Sequence, residues 1–134
     1  MTRVFADTYY FLALINVKDA AHQRALRFSQ SHNNPILTTS WILTELADGL
    51  SAVAHRPIFA KKLTELHNDQ DTTIVPFSEL LFSKGIDLYF ARPDKDWSLT
   101  DCISFVVMQQ YALKEALTAD RHFEQAGFQI LLKN

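Results

Sequence analysis

The chain has 134 residues, of which 48% are hydrophobic, and its formal net charge is −2. This length suits one compact domain over residues 1–134 and is too short for two ordinary ones, while the small negative charge excludes a global basic field that would attract nucleic acid. The apolar runs are shorter than the roughly 20 residues that span a bilayer. We therefore expect one soluble, unexported, cytoplasmic domain with no membrane partner.

The sequence lacks the usual sulfur and imidazole patterns of a metal site. Its one cysteine, Cys102, excludes an internal disulfide and a cysteine cluster, and its apolar neighbours predict a buried structural thiol. The five histidines have no H-x-x-x-H or H-E-x-x-H spacing that would put two of them on one helical face. A zinc site is therefore not expected.

The first part of the chain alternates short apolar runs with helical patterns. Residues 3–6 predict a strand that ends at Asp7, and residues 9–17 predict a short helix. Residues 18–31 carry apolar side chains at helical spacing, before an Asn-Asn-Pro turn at residues 33–35. The pattern favours strand–helix units over hairpins.

The next units repeat this alternation. Residues 35–38 predict a second strand, and either Thr39 or Ser40 can cap the helix that follows. Pro57 is suited to the start of a further helix that runs to about His67. The side chains predicted to face inward from the capped helix are Ile42, Leu43, Leu46, Leu50 and Val53.

The middle of the chain predicts a third strand and the most buried helix. Residues 72–76 form the strand pattern, and residues 78–79 begin a helix. A charged loop at residues 92–97 precedes a helix that Ser98 or Thr100 can cap. Because this helix is apolar on nearly every side, we expect it to be central.

Three short elements complete the chain. Residues 115–118 predict a fourth strand, residues 121–126 a helix, and residues 128–132 a last strand after Gly127. Strands that are separated by helices imply parallel pairing, right-handed crossovers and a sheet covered on both faces. The predicted fold class is therefore α/β.

Four acidic residues interrupt apolar surroundings, namely Asp7, Glu45, Asp101 and Asp120. A carboxylate near a core is costly to desolvate without a compensating cation or donor, and several together repel one another. Asp7 and Asp120 follow predicted strands, at the sheet edge where ligands bind in parallel sheets. Such hard oxygen ligands suit Mg²⁺ or Mn²⁺, which often bridge carboxylates to substrate phosphates. The pattern indicates a divalent metal site and phosphoryl hydrolysis.

Each of these acids also has an ordinary structural interpretation. Asp7 alone could cap a turn or helix, and Asp101 alone could be a first-turn aspartate beside the positive helix end. Glu45 could be a solvated helix residue, and Asp120 a loop residue. The expected meeting of three acids at one sheet edge favours the metal site.

Four motifs follow one another along the chain: V-F-A-D-T at 4–8, T-E-L at 44–46, W-S-L-T-D-C at 97–102 and A-L-T-A-D-R-H-F at 116–123. In order and spacing they resemble the PIN domain nucleases, and most of all the VapC-type ribonuclease toxins. The match runs nearly end to end. The resemblance implies a three-layer α/β/α fold with a five-stranded parallel sheet.

The resemblance further implies a metal-dependent endoribonuclease. Its acidic quartet would hold one or two Mg²⁺ or Mn²⁺ ions, and a metal-activated water would attack an RNA phosphorus. Thr8, Ser98 and Thr118 match hydroxyl positions that orient a ligand or, alternatively, cap a backbone group. The implied partners are an RNA substrate, a cognate antitoxin and a second copy of the chain, for which the helices after Lys18 and Pro57 offer surfaces.

Other residues are candidates for RNA contact or for simpler roles. Trp97 could stack on an unpaired base or be buried under its loop, and His122 could contact a phosphate or make a helix-start hydrogen bond. Asp94 and Asp96 are either competing ligands or loop residues. Basic residues that could neutralise phosphates, or that are ordinary solvated surface, are Arg56, Lys61, Lys62, Arg92, Lys95 and Arg121.

Two other functions remain open at this stage. One is a non-catalytic module that uses the same fold to bind RNA or protein without cutting. The other is a phosphohydrolase or phospho-acceptor domain in which Asp7 is attacked. The run Asp7-Thr8-Tyr9 lacks a second aspartate two residues on, which disfavours haloacid dehalogenase chemistry. The full acidic quartet favours the nuclease.

Overall fold

The computed structural model describes residues 2–31 and 33–134, so Met1 and His32 lie outside the described residues. Within that part of the chain, five parallel strands form one sheet. The strands are β1 (Val4–Ala6), β2 (Ile36–Thr39), β3 (Thr72–Val75), β4 (Glu115–Leu117) and β5 (Gln129–Ile130). Their order across the sheet is β3-β2-β1-β4-β5. The prediction of an α/β fold with a five-stranded parallel sheet is confirmed.

Seven helices connect the described strands and cover the sheet. They are α1 (Thr8–Ile15), α2 (His22–Ser31), α3 (Ser40–Gly49), α4 (Arg56–Asn68), α5 (Glu79–Ala91), α6 (Leu99–Gln110) and α7 (Arg121–Gln125). None of the helices in residues 2–31 and 33–134 has the length and apolarity that a bilayer-spanning helix needs.

Caps define where several helices begin. The Thr39 hydroxyl accepts a hydrogen bond from the Ile42 N–H at 3.1 Å, so Thr39 rather than Ser40 is the N-cap of α3. Ser98 rather than Thr100 caps α6. The predicted helix over 18–31 begins only at His22, because the Asp19 side chain accepts a bond from the Ala21 N–H and turns the chain first.

The prediction that five side chains of α3 face inward is wrong for one of them. Val53 was expected on the buried face of α3, but its side chain is 87% exposed. The helix ends at Gly49, and Leu50 leaves helical geometry with φ −113° and ψ 26°. The helical periodicity therefore does not extend to Val53, although Ile42, Leu43, Leu46 and Leu50 are buried as predicted.

Helix α6 is the central helix, as its sequence predicts. Its side chains Cys102, Ile103, Phe105 and Met108 are each exposed by 1% or less. Cys102 is a buried free thiol, and this burial raises its pKa. Helix α5 packs against α6 at Gly85, where a Cβ atom would overlap Cγ1 of Ile103. The contact fixes α6, which carries Asp101 in its first turn, against α5.

Candidate active site

The strand order reverses once, next to β1. The chain moves outward from β1 to β2 and β3, and then returns to place β4 on the other side of β1. Such a reversal opens a crevice beyond the carboxyl ends of the two central strands, where ligands bind in sheets of this kind. Asp7 follows β1 directly, and Thr118 follows β4. Both residues therefore lie at the crevice.

All four acids predicted from the sequence line one open cavity at this point, with a volume of about 550 Å³. Asp7 comes from the end of β1, Glu45 from α3, Asp101 from the first turn of α6, and Asp120 from the start of α7. Their gathering in one place was the central expectation from the sequence, and the geometry agrees with it.

Asp7 is the most buried of the four acids, with 8% of its surface exposed. Its Oδ2 accepts a hydrogen bond of 2.9 Å from the Thr118 hydroxyl. The pKa of Asp7 is raised to about 7, mainly by burial and also by the negative charges of Asp101 and Glu45, although the hydrogen bond from Thr118 lowers it. The site thus holds negative charge that the surrounding protein does not compensate.

Glu45 reaches the cavity from the interior of α3 and is half-buried. Its Oε1 accepts a short hydrogen bond of 2.6 Å from the hydroxyl of Thr8, the first residue of α1. Burial is the main cause that raises the pKa of Glu45, and the charges of Asp101, Asp48 and Asp120 add to it. Thr8 therefore orients an acid that comes from a different helix.

Asp101 combines a helix-capping role with a position in the cavity. The Ser98 hydroxyl accepts a bond from the Asp101 N–H at 3.0 Å, and Asp101 Oδ2 accepts one from the Ser98 N–H at 3.2 Å. This capping box holds the Asp101 carboxylate at the positive end of α6. Ser98 thus has the capping role that the sequence left as an alternative.

Thr118 links acids from two parts of the chain and is fully buried. Besides its bond to Asp7, its Oγ1 accepts a hydrogen bond of 3.0 Å from the Asp120 N–H. Asp120 in turn caps α7, since its Oδ1 accepts a bond from the His122 N–H at 2.9 Å. One hydroxyl therefore sets the positions of two candidate ligands.

His122 is a member of the cavity that sequence reasoning did not include in the site. Its Nδ1 lies 3.0 Å from Asp101 Oδ2 and 3.5 Å from Asp120 Oδ1. Ligand atoms of the three residues all lie within 4.8 Å of one another, a spacing that could hold a metal ion. Its backbone makes the expected helix-start bond. The sequence signal for His122 was its position two residues after Asp120, in the first turn of the helix that Asp120 caps.

The donor set of the cavity fits a small, hard dication. Within the described chain, its lining contains six carboxylates and one imidazole, and neither lysine nor arginine. Oxygen donors of this kind suit Mg²⁺ or Mn²⁺, and an imidazole is more compatible with Mn²⁺. A cation would relieve the repulsion and burial that raise the pKa of Asp7 and of Glu45.

The residues predicted for RNA contact do not form one patch. Three lie on α4, away from the cavity lining: Arg56 donates to the Ser51 carbonyl, Lys62 pairs with Glu65 at 3.2 Å, and Lys61 is exposed. Arg121 is exposed and adjoins Asp120 at the start of α7. The remaining two, Arg92 and Lys95, line a neighbouring cavity.

Two alternatives for the loop before α6 are decided by burial and pairing. Trp97 is 6% exposed, and its indole N–H donates to Gln125 Oε1 at 3.0 Å while its ring packs against Phe105. The alternative in which Trp97 stacks on an unpaired base is therefore wrong, and Trp97 is buried under its loop. Asp94 binds Arg92 through both carboxylate oxygens, which removes it as a competing ligand. Asp96 does line the cavity.

Comparison with known proteins agrees with this fold and site. The family model of the PIN domain matches residues 4–129, and the chain therefore belongs to the PIN domain family. The resemblance inferred from the four motifs is confirmed. The 23S rRNA-specific endonuclease VapC20, from two strains of Mycobacterium tuberculosis, is 27% identical over 129 residues, which cover 93% of this chain and 95% of the relative.

Solved structures share the fold along most of the chain. The crystal structure of VapC20 from Mycobacterium tuberculosis, described as a sarcin-ricin loop cleaving toxin, superposes with a TM-score of 0.84 at 24% identity and covers 93% of this chain and 95% of that one. FitAcB from Neisseria gonorrhoeae gives a TM-score of 0.71 at 15% identity, with 96% of each chain covered. At such identities, the likeness concerns the fold.

Proposed function

We propose that this protein is a nuclease of the VapC type, and specifically an endoribonuclease that hydrolyses RNA phosphodiester bonds with Mg²⁺ or Mn²⁺. The observation that carries the proposal is the convergence of Asp7, Glu45, Asp101 and Asp120 on one cavity at the reversal of strand order. The relative VapC20 is a 23S rRNA-specific endonuclease, which supports RNA as the substrate class.

Asp7, Glu45, Asp101 and Asp120 are proposed to hold the ion. When bound, the dication would supply Lewis-acid charge that stabilises the negative oxygens of the phosphodiester during hydrolysis. Asp7 contributes a buried carboxylate that gains from a cation because its pKa is raised to about 7. Asp101 presents its carboxylate from a fixed helix start, and Asp120 does the same from α7. The helix-start hydrogen bonds of Asp101 and Asp120 keep their carboxylate oxygens from moving apart.

The neighbouring hydroxyl and imidazole groups are proposed to position these carboxylates. Thr8 directs Glu45, and Thr118 directs Asp7. The His122 imidazole lies against Asp101, and the His122 backbone N–H donates to Asp120. The chain's own contribution to the reaction is thus a pre-formed set of oxygens that binds and orients the charged centre.

The proposed partners follow from the type of protein. A toxin of this kind would be paired with a cognate antitoxin and act in the cytoplasm, and we propose a homodimer as its assembly. The candidate surfaces for this dimer are α2 and α4, the helices that the sequence predicts for it, and α4 carries the exposed apolar side chain Ile58.

Cleavage of a short single-stranded RNA by purified protein tests the proposed reaction. The parent should cut the RNA in Mg²⁺ or Mn²⁺ and leave it intact in EDTA. Asp7→Asn should lower the cleavage rate by about 100-fold or more, because a neutral amide replaces the most buried candidate ligand. Circular dichroism should show that the variant keeps its fold.

Asp87→Asn is the matched control, since Asp87 is an exposed aspartate on α5 outside the cavity. It should cleave like the parent. Cleavage by Asp7→Asn at the parental rate would contradict the assigned site. RNA binding by the parent, with the RNA left intact in both metals, would instead favour the non-catalytic binding module.

A further inference from the structure

A second cavity, about 850 Å³ in volume, adjoins the acidic cavity at the C-terminal end of α5. Asp96 and Ser98 line both cavities, so the two are contiguous. The second cavity is also lined by Tyr89, Phe90 and Arg92. A cavity of this size can hold a small organic ligand such as one nucleotide.

Two aromatic side chains that line this second cavity are more exposed than packing in the core would require. Tyr89 is 44% exposed and Phe90 is 72% exposed. Their ring centroids lie 5.5 Å apart and their planes meet at 86°, which makes an aromatic corner. Exposed rings beside a polar cavity are typical of a binding site rather than of packing. Aromatic faces are also the surfaces on which unpaired bases stack.

Arg92 adds a planar cation that is held in place. Its Nε and Nη2 each donate to the Asp94 carboxylate at 3.0 Å, and its guanidinium carbon lies 5.2 Å from the centroid of the buried Trp97 ring. A guanidinium plane, like an aromatic ring, is a stacking surface for an unpaired base. Holding it in advance lowers the entropy lost on binding.

The charges around this cavity indicate stacking as the main contact. Arg92 and Lys95 are cationic, but Asp94 and Asp96 lie in the same loop and offset them. Attraction of phosphates by net charge is therefore weak here, although the Lys95 ammonium can still meet one phosphate. The aromatic corner and the guanidinium remain as the features that favour a base.

We propose that the cavity lined by Tyr89, Phe90, Arg92 and Lys95 binds an unpaired nucleobase of the RNA, next to the phosphodiester held at the acidic cavity. This inference rests on the proposed function, because it assigns RNA to the adjoining site. A paired base cannot enter such a stacking site without leaving its helix. The protein should therefore prefer a single-stranded segment beside the cleavage point.

Binding of a fluorescently labelled single-stranded RNA tests the proposal, with the same RNA annealed to its complement for comparison. Ca²⁺ replaces Mg²⁺, and a gel verifies that the RNA stays intact. Tyr89→Leu and Phe90→Leu remove the rings and keep apolar side chains. Each should weaken binding of the single strand by about tenfold and leave binding of the duplex unchanged. Binding of Mn²⁺, measured by calorimetry, should not change in either variant.

Phe82→Leu is the control, because Phe82 is 47% exposed on the same helix but lines a different cavity with Trp41 and Phe77. It should bind both RNAs like the parent. Parental affinity in both Tyr89→Leu and Phe90→Leu, or an equal loss for single strand and duplex, would overturn the proposal. A smaller molecular mass of these variants in light scattering would also overturn it, in favour of a protein contact.

The two proposals fail separately. If the parent cleaves RNA but the Tyr89 and Phe90 variants bind it normally, the base site is refuted and the nuclease stands. If the parent cuts no RNA in Mg²⁺ or Mn²⁺ while these variants lose single-strand binding, the nuclease is refuted and the base site stands.

Discussion

Thr118 shows how one uncharged residue can control a charged site. It is fully buried between β4 and α7, donates to Asp7 and accepts from the Asp120 backbone. A hydroxyl is needed there because it serves as donor and acceptor at once. The bond to Asp7 is not evident from sequence spacing, since Thr118 and Asp7 are 111 residues apart.

Thr118→Val should disturb both carboxylates without changing the side-chain shape. It leaves the Asp7 carboxylate and the Asp120 N–H without their partner, and we expect a loss of about 1–3 kcal/mol in the free energy of unfolding. Affinity for Mn²⁺ should fall about tenfold or more, because the ligands lose their orientation. Urea denaturation and calorimetry measure the two effects.

Thr118→Ser is the control for the role of the hydroxyl. It keeps the donor and acceptor, and it should therefore retain most of the Mn²⁺ affinity even if the lost methyl group lowers stability. Parental Mn²⁺ affinity in Thr118→Val would show that the hydroxyl has no positioning role. That result would leave Asp7 held by burial and by its hydrogen bond with the Thr8 backbone.

At the scale of the elements, the packing of α5 on α6 depends on Gly85. A Cβ atom at this position would overlap Cγ1 of Ile103 and lie 3.4 Å from the backbone of the same residue. Ile103 is 1% exposed, so its side chain has little room to move. The close approach of the two helices therefore depends on the missing side chain.

Gly85→Ala should destabilise the protein although alanine favours helices. The gain in helix propensity is about 1 kcal/mol, whereas overpacking of a core costs about 1–3 kcal/mol. We expect a net loss of about 1 kcal/mol in chemical denaturation. Gly49→Ala is the matched control, since its Cβ would meet Leu12 at an ordinary 3.7 Å. A stabilised Gly85→Ala would mean that α5 and α6 can move apart freely.

For the whole molecule, the acidic cavity should make stability depend on pH. Burial raises the pKa of Asp7 from 3.8 to about 7 on folding. Between these two values the folded state binds more protons than the unfolded state, so stability falls as the pH rises, and the loss is complete above about pH 7. In EDTA, this contribution should lower the free energy of unfolding by roughly 1 kcal/mol between about pH 6 and about pH 8.

Asp7→Asn isolates this contribution, because other groups also titrate in the same range. The variant should lose less stability than the parent over that pH interval in chemical denaturation. Mn²⁺ should stabilise the parent more than the variant above about pH 7, since an ion that binds only the folded state adds to its stability. Equal pH slopes for both proteins would contradict a raised pKa of Asp7.

Much of this architecture is already present in local sequence patterns. Hydrophobic periodicity predicts the strands and helices to within a few residues, because each element buries one face or stripe. Acids that directly follow strands, such as Asp7, are expected at one sheet edge because parallel strands end at the same edge. Val53 marks the limit of this reasoning, since apolar spacing continued past the point where α3 ends.

The amino-acid order by itself determined the α/β class, the succession of elements and the four acids, because these depend on neighbours in the chain. Tertiary structure alone decided that β4 returns beside β1, which brings Thr118 to Asp7 and His122 to Asp101. It also decided that Trp97 is buried while Tyr89 and Phe90 are exposed. The physical reason is that desolvation and hydrogen bonding depend on which distant segments meet.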